Sequence, residues 1–287
     1  MPHIDPGALL PLRHGGVEPS GAPARSRFAG NLHPAEGRAR SSPPVGAPSH
    51  SDDPSAAGEA ASQLLPQAAD FVSNVSQLRI TEIFYSLQGE TSRVGLPTVF
   101  VRLTGCPLRC TYCDTSYAFT GGKNMSLAEI LAQVAGYSPR YVTVTGGEPL
   151  AQKNCLPLLG ALCDTGYQVS LETGGALDIG EVDARVMRVV DIKTPASGES
   201  AKNRWENLPL LTAHDEIKFV LCDEADYRWA KQIMKQHHLG ETCQVLFSPA
   251  HGALDTTLLA EWILRDRLPV RLQVQLHKLL WDNKPGH

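Results

Sequence analysis

Apolar runs of strand length recur along the chain from residue 78 onward. They are LRITEIF (78–84), TVFVRL (98–103), YVTVT (141–145), QVSLE (168–172), RVVDIK (188–193), EIKFVL (216–221), QVLF (244–247) and VRLQVQL (270–276). Each is short, rich in β-branched or aromatic residues and bounded by turn-forming residues, which predicts a strand. Between many of them lie stretches with helical spacing of apolar positions: SLAEILAQVA (126–135), NCLPLLGALCDTG (154–166), EADYRWAKQIMKQHH (224–238) and ALDTTLLAEWILRD (253–266). Ser126 followed by Glu129 reads as a capping box. Strands alternating with helices predict βα units on a parallel sheet. About 210 residues carry the pattern, slightly short of a full (β/α)8 barrel. The expected fold is therefore α/β: a partial, incomplete TIM-type barrel of parallel strands with outer helices. Functional groups should gather at the C-terminal ends of its strands.

Composition changes near residue 72. Eleven of the 21 prolines fall in residues 1–70, a stretch with one aromatic residue, Phe28, and no Lys, Tyr or Trp. It lacks periodicity and cannot bury enough apolar surface to offset chain entropy. Residues 1–75 are expected to be a disordered Pro/Ala/Gly/Ser-rich extension, and 76–287 the catalytic domain. Three origins of the extension compete: upstream sequence translated ahead of a true start between 72 and 78, a genuine tail, or a transit peptide. The net charge of −4 suggests no bulk nucleic-acid or membrane partner. No apolar run approaches the roughly 18–20 residues that span a bilayer, and the N-terminus lacks the basic and apolar regions of a secretory signal. Seven cysteines, four of them scattered at 155, 163, 222 and 243, do not resemble a disulfide framework. A reducing, cytoplasmic setting is expected.

The other three cysteines carry the chemistry. GCPLRCTYCDTSYAF (105–119) places Cys106, Cys110 and Cys113 in a C-x3-C-x2-C loop directly after the strand TVFVRL. A structural zinc site needs a fourth Cys or His at short spacing; Cys155 and His214 are remote. Three unliganded thiols would leave the clustering unexplained. A [4Fe–4S] cube held by three thiolates keeps one iron open for a small molecule. A second motif, VTVTGGEPL (142–150), turns through two glycines at the next strand end. Gly146 and Gly147 let the backbone approach a ligand closely, and Glu148 offers a carboxylate to an ammonium.

The cysteine loop, with Tyr112 just before its last cysteine, resembles that of the radical S-adenosylmethionine superfamily, and the GGE turn is similar to the one that binds the methionine amino group there. Three further stretches narrow the resemblance: ITEIFYSLQGE (80–90), CDTSYAF (113–119) and LQVQLHKLLW (272–281). In this order they resemble the 7-carboxy-7-deazaguanine synthase family over residues 78–281. The resemblance implies a radical SAM core and a carbon–nitrogen lyase. Its substrate would be 6-carboxy-5,6,7,8-tetrahydropterin. A 5′-deoxyadenosyl radical would take hydrogen from C6, the ring would contract, ammonia would leave, and 7-carboxy-7-deazaguanine would enter queuosine (7-deazapurine) biosynthesis. It further implies a [4Fe–4S] cluster, regenerated S-adenosylmethionine, Mg2+, an electron donor such as flavodoxin, and a homodimer.

Residue by residue, the resemblance puts the cluster on Cys106, Cys110 and Cys113 and Mg2+ on Thr115, a hard oxygen ligand. The bland alternative for Asp114 and Thr115 is helix capping. S-adenosylmethionine contacts are expected from Tyr112, Asp114, Gly146, Gly147, Glu148, Asp191, Ile192, Lys193, Phe247, Ser248 and Pro249. Substrate contacts are expected from Leu87, Gln88, Gly89, Glu90, Arg102, Thr145, Glu172 and His277. Gln88 offers both donor and acceptor to a pterin edge. Arg102, on an apolar strand, needs an anionic partner, and the family places it against the substrate carboxylate. His277 reads equally as a structural histidine. The chain departs from the family in its first 75 residues and in its ending, WDNKPGH, where the residue meeting the substrate stays open. Two rivals remain: a radical SAM glycyl-radical-enzyme activase, and a non-catalytic zinc or cluster-carrying module.

Overall fold

The computed structural model describes residues 77–282, 284 and 286. The extension expected at 1–75 lies outside the described residues. A nine-stranded sheet runs in the order β3-β1-β2-β4-β5-β6-β7-β8-β9. Its strands are β1 (Gln77–Leu87), β2 (Pro97–Leu103), β3 (Lys123–Ser126), β4 (Tyr141–Gly146), β5 (Gln168–Thr173), β6 (Met187–Asp191), β7 (Glu216–Leu221), β8 (Gln244–Pro249) and β9 (Arg271–Leu272). From β2 to β9 every neighbouring pair is parallel. The sheet does not close, so it is the expected partial barrel. One edge departs from the all-parallel expectation: β1 pairs antiparallel with both β2 and β3. The LQGE turn therefore lies at the N-terminal end of the parallel strands and plugs the barrel from below.

Five α-helices follow: α1 (Leu127–Ala135), α2 (Cys155–Asp164), α3 (Glu224–Gln236), α4 (Thr256–Asp266) and α5 (Leu276–Trp281). The capping box at α1 forms as expected, with Glu129 N donating to Ser126 Oγ and Ser126 N donating to Glu129 Oε2. Asp223 and Asp255 cap α3 and α4 through Asp226 N and Leu258 N. The strand expected at 270–276 shrinks to two residues. Beyond it the chain leaves the sheet edge, and Leu276 N donates to Gly89 O at 2.9 Å. At that contact the chain enters α5.

Alternation along the strands sorts the two faces of the sheet. Val99, Val101, Leu103, Val142, Val144, Val169, Leu171, Ile217, Phe219 and Leu221 join the buried core under the helices. Burying each large apolar side chain of this kind contributes about 1.5–3 kcal/mol. The intervening positions carry Arg102, Thr143, Thr145, Ser170, Glu172, Asp191 and Lys218. With Phe100, Val189 and Val220 among them the concave face is mixed, and it lines a cavity rather than a core.

Candidate active site

The cavity has a volume of about 410 Å3 and opens among the strand ends. The cysteine loop, leaving β2, forms one wall. Cys106, Cys110 and Cys113 all line the cavity, half-buried and free of disulfides. Leu108 N donates to Cys106 Sγ at 3.4 Å, as a thiolate would accept. Burial pushes the Cys106 and Cys110 thiols up, and the Lys193 ammonium opposes that shift at both. Among the described residues, no three His, Cys, Asp or Glu side chains converge on a point that would hold a single metal ion. The three thiols line the same cavity wall, and three thiolates on one loop are the donor set that a cluster with one iron left open takes.

The GGE turn packs directly on this loop. A Cβ at Gly146 would come within 2.3 Å of Leu103 O, and one at Gly147 within 2.2 Å of Gly105 O. Gly147 N donates to Leu103 O and Glu148 N to Gly105 O. The glycines are therefore needed for backbone to nest against backbone, and both also line the cavity. Glu148 does not line it. Its side chain is fully buried, and its carboxylate accepts from Thr173 Oγ1, Gly174 N (2.7 Å) and Leu150 N (3.1 Å). The Thr173 hydroxyl and the Gly174 and Leu150 amides occupy the carboxylate that the sequence offered to a ligand ammonium, and it ties the ends of β4 and β5 together.

The floor comes from the β1–β2 loop. Gln88 Nε2 donates to Thr143 Oγ1 (3.2 Å) and Glu172 Oε1 (3.3 Å), while Gln88 Oε1 accepts from Glu90 N. Thr145 Oγ1 donates to Glu172 Oε2 at 3.1 Å. Burial and the nearby Glu90 charge raise the Glu172 carboxyl. Burial would raise Glu90 too, but the Lys218 ammonium at 2.5 Å outweighs it and holds Glu90 below the ordinary range. Leu87 and Gly89 complete the floor, and His277 stands beside Gly89. Burial lowers the His277 imidazole, against the pull of the Glu90 and Asp114 carboxylates.

Arg102 lines the cavity and already has an anionic partner, Glu82, at 2.7 Å. Its guanidinium also lies over Phe84 and Tyr117, and Tyr117 OH donates to the same Glu82 oxygen. On the opposite side Asp191 pairs with Lys193 at 3.1 Å. Thr115 precedes a short 3-10 turn but makes no side-chain cap; its hydroxyl donates to Asp114 Oδ1 at 2.9 Å, which removes the capping alternative. Tyr112 and Asp114 line the cavity as well.

Strand alternation places two of the expected contacts, Ile192 and Phe247, away from the cavity wall. Ile192 and Phe247 face the helices: Ile192 sits in the core, and Phe247 packs edge-on against Phe219 and Tyr227. Ser248 is buried and does not line the cavity, while Pro249 borders a neighbouring hollow on the α4 side. Conversely, the cavity holds residues the sequence reading passed over. Lys218 reaches it from the middle of β7, and Gln275 and Lys278 reach it from the C-terminal segment. Gln275 Nε2 donates to Glu90 Oε1 (2.8 Å) and Asp114 Oδ2 (3.3 Å), and Lys278 pairs with Asp114. A lysine inside the apolar run EIKFVL was the available signal for Lys218, the same signal that marked Arg102. Nothing local marks Gln275 or Lys278, because their partners lie more than 150 residues away.

Comparison with known proteins identifies the family. A family model described as the radical SAM superfamily matches residues 100–236. A 7-carboxy-7-deazaguanine synthase from Chlorobaculum tepidum is 48% identical over 214 residues, covering 74% of this chain and 97% of that protein. One from Koribacter versatilis is 46% identical over 219 residues, covering 71% and 97%. The crystal structure of QueE from Escherichia coli superposes with a TM-score of 0.61 at 24% identity, covering 72% of this chain and 98% of that one, a likeness of fold. Among the described residues no helix is long and apolar enough to cross a membrane. The chain is a radical SAM enzyme and belongs to the 7-carboxy-7-deazaguanine synthase family.

Proposed function

We propose that this enzyme contracts the ring of 6-carboxy-5,6,7,8-tetrahydropterin to 7-carboxy-7-deazaguanine with loss of ammonia. The observation that carries the reading is that the LQGE floor and the three-cysteine wall face one cavity. When bound on Cys106, Cys110 and Cys113, the [4Fe–4S] cluster with S-adenosylmethionine supplies a carbon-centred 5′-deoxyadenosyl radical. The chain's own residues bind and orient. Gln88, whose two amide hydrogens are held by Thr143 and Glu172, offers the remaining lone pair of its amide oxygen to the pterin edge, and Glu90, kept anionic, accepts from its ring N–H groups. Glu172, with its raised carboxyl, can hold or release a proton beside the reacting ring. Arg102 keeps N–H donors beyond the one taken by Glu82 and faces the substrate carboxylate. Thr115 would hold Mg2+, which would clamp that same carboxylate. Asp191 and Lys193 would meet S-adenosylmethionine. His277 and the C-terminal segment cover the open side and exclude water.

We further infer a flavodoxin-like electron donor, a homodimer and a cytoplasmic setting, on family resemblance. The testing experiment is an anaerobic assay of reconstituted enzyme with S-adenosylmethionine, reductant, Mg2+ and the pterin, read by product mass. 7-Carboxy-7-deazaguanine is expected. Steady 5′-deoxyadenosine without it would keep the superfamily and discard the substrate, returning attention to a glycyl-radical activase.

A further inference from the structure

We propose that Lys218 is a positioning residue shared by the two halves of the cavity, setting at once the group that meets the pterin and the group that meets S-adenosylmethionine. The inference deepens the functional reading above and rests on it for the identity of the pterin. Lys218 is the third residue of β7 and points to the concave face; it is 8% exposed. Its Nζ lies 2.5 Å from Glu90 Oε2 and 3.5 Å from Asp191 Oδ2. Glu90 belongs to the floor loop between β1 and β2, and Asp191 ends β6. The two carboxylates come from parts of the chain about 100 residues apart, and one ammonium bridges them.

The surroundings make that ammonium hard to replace. Glu172 adds a third carboxylate within its electrostatic reach. Lys193 shares Asp191 Oδ2 at 3.1 Å, Gln275 takes the other Glu90 oxygen at 2.8 Å, and His277 lies within electrostatic reach of Glu90. An ammonium is a compact charge with three donors, so it can serve two carboxylates approaching from different directions. Removing it leaves buried Glu90 without its cation and Asp191 with Lys193 alone. They must then take up protons or turn toward water, and either change withdraws them from a ligand. Asp191 already uses one oxygen for both lysines and leaves Oδ1 buried without a partner. Its orientation therefore depends on the pair of cations.

The test uses full-length enzyme with its cluster reconstituted anaerobically. Calorimetric titrations measure S-adenosylmethionine alone and the pterin alone, without reductant, so that affinity is read apart from turnover. Lys218→Met should weaken both ligands at least tenfold. Glu90→Gln should weaken the pterin only. The double variant Glu90→Gln/Lys218→Met removes one charge of each sign, keeps the fold if the single variant does not, and should still bind S-adenosylmethionine at least tenfold more weakly. S-adenosylmethionine affinity equal to wild type in a folded Lys218→Met or double variant overturns the proposal. So does a variant that loses turnover at saturation with both affinities intact. If wild-type enzyme does not bind the pterin, the functional reading falls, and Lys218 is judged on S-adenosylmethionine, where an unchanged affinity still overturns it.

Discussion

Lys278 Nζ lies 2.8 Å from Asp114 Oδ2, so the last helix of the chain is tied by an ion pair to the residue between the third cysteine and Thr115. Lys278 is nearly buried and Asp114 is nearly one-third exposed. Lys278→Met should therefore cost about 1–2 kcal/mol, less than the loss of a fully buried pair. In a domain of this size that lowers Tm by about 3–6 °C, which scanning calorimetry would show. The pH dependence has a definite sign. Burial alone would raise the Asp114 carboxyl, but Lys278 outweighs it and holds the group well below the ordinary range. A depressed folded-state pKa gives stability that is present above the unfolded value of about 3.9 and lost as pH falls toward the folded one. The Tm gap between wild type and Lys278→Met should be full at pH 6–7 and close below about pH 4. A gap that widened in acid would contradict this pairing.

Gly89 has no room for a side chain because His277 fills the space. A Cβ there would stand 2.2 Å from His277 Nδ1 and 3.2 Å from its backbone N. Gly89→Ala must push the C-terminal segment outward, at an overpacking cost of about 1–3 kcal/mol. We expect a lowered Tm and at least a tenfold rise in KM for the pterin. Adding His277→Ala should return most of the lost Tm without restoring KM. A Gly89→Ala enzyme with wild-type KM would mean that the segment does not shape the substrate site.

Each of Cys106→Ala, Cys110→Ala and Cys113→Ala should abolish cluster loading, measured as iron and sulfide per chain after reconstitution. Cys163→Ala, on α2 and away from the cavity, should load iron as wild type does. Full iron retention in any one of the three loop variants would remove that cysteine from the ligand set.

Glu148 acts here as an acceptor for its own neighbours. Glu148→Gln places an amide N–H2 among donors and breaks up to three charge-assisted bonds. The expected cost is about 2–3 kcal/mol, or about 4–10 °C in Tm. Thr173→Val removes one donor only and should cost less than half as much. Equal thermal stability of Glu148→Gln and wild type would refute the role of this carboxylate in joining the ends of β4 and β5.

Much of this enzyme could be read along the chain because its signals are local. Strand runs, the capping box at Ser126 and Glu129, and the C-x3-C-x2-C spacing each need only neighbouring residues to be recognised. The cysteines and the LQGE residues lie in loops whose chemistry is written in their own side chains, and the fold brings them all to one cavity. What a strand end does not tell is which face a residue takes. Ile192 and Phe247 lie at strand ends, where alternate side chains turn to opposite faces, and both join the core. Asp191 reaches the cavity, and Ile192 beside it goes to the core.

The sequence by itself determined the fold class, the cluster loop and the family, because periodicity, spacing and motif order survive without coordinates. Only the tertiary structure decided which charges meet. Lys218 with Glu90, Lys278 with Asp114, Gln275 with both acids and His277 against Gly89 are pairs separated by more than 125 positions. Electrostatic and steric pairing depends on distance in space and on burial. The curve of the sheet brings β7 to the β1–β2 loop, and the C-terminal segment runs across to Gly89 and Asp114; no local pattern encodes either.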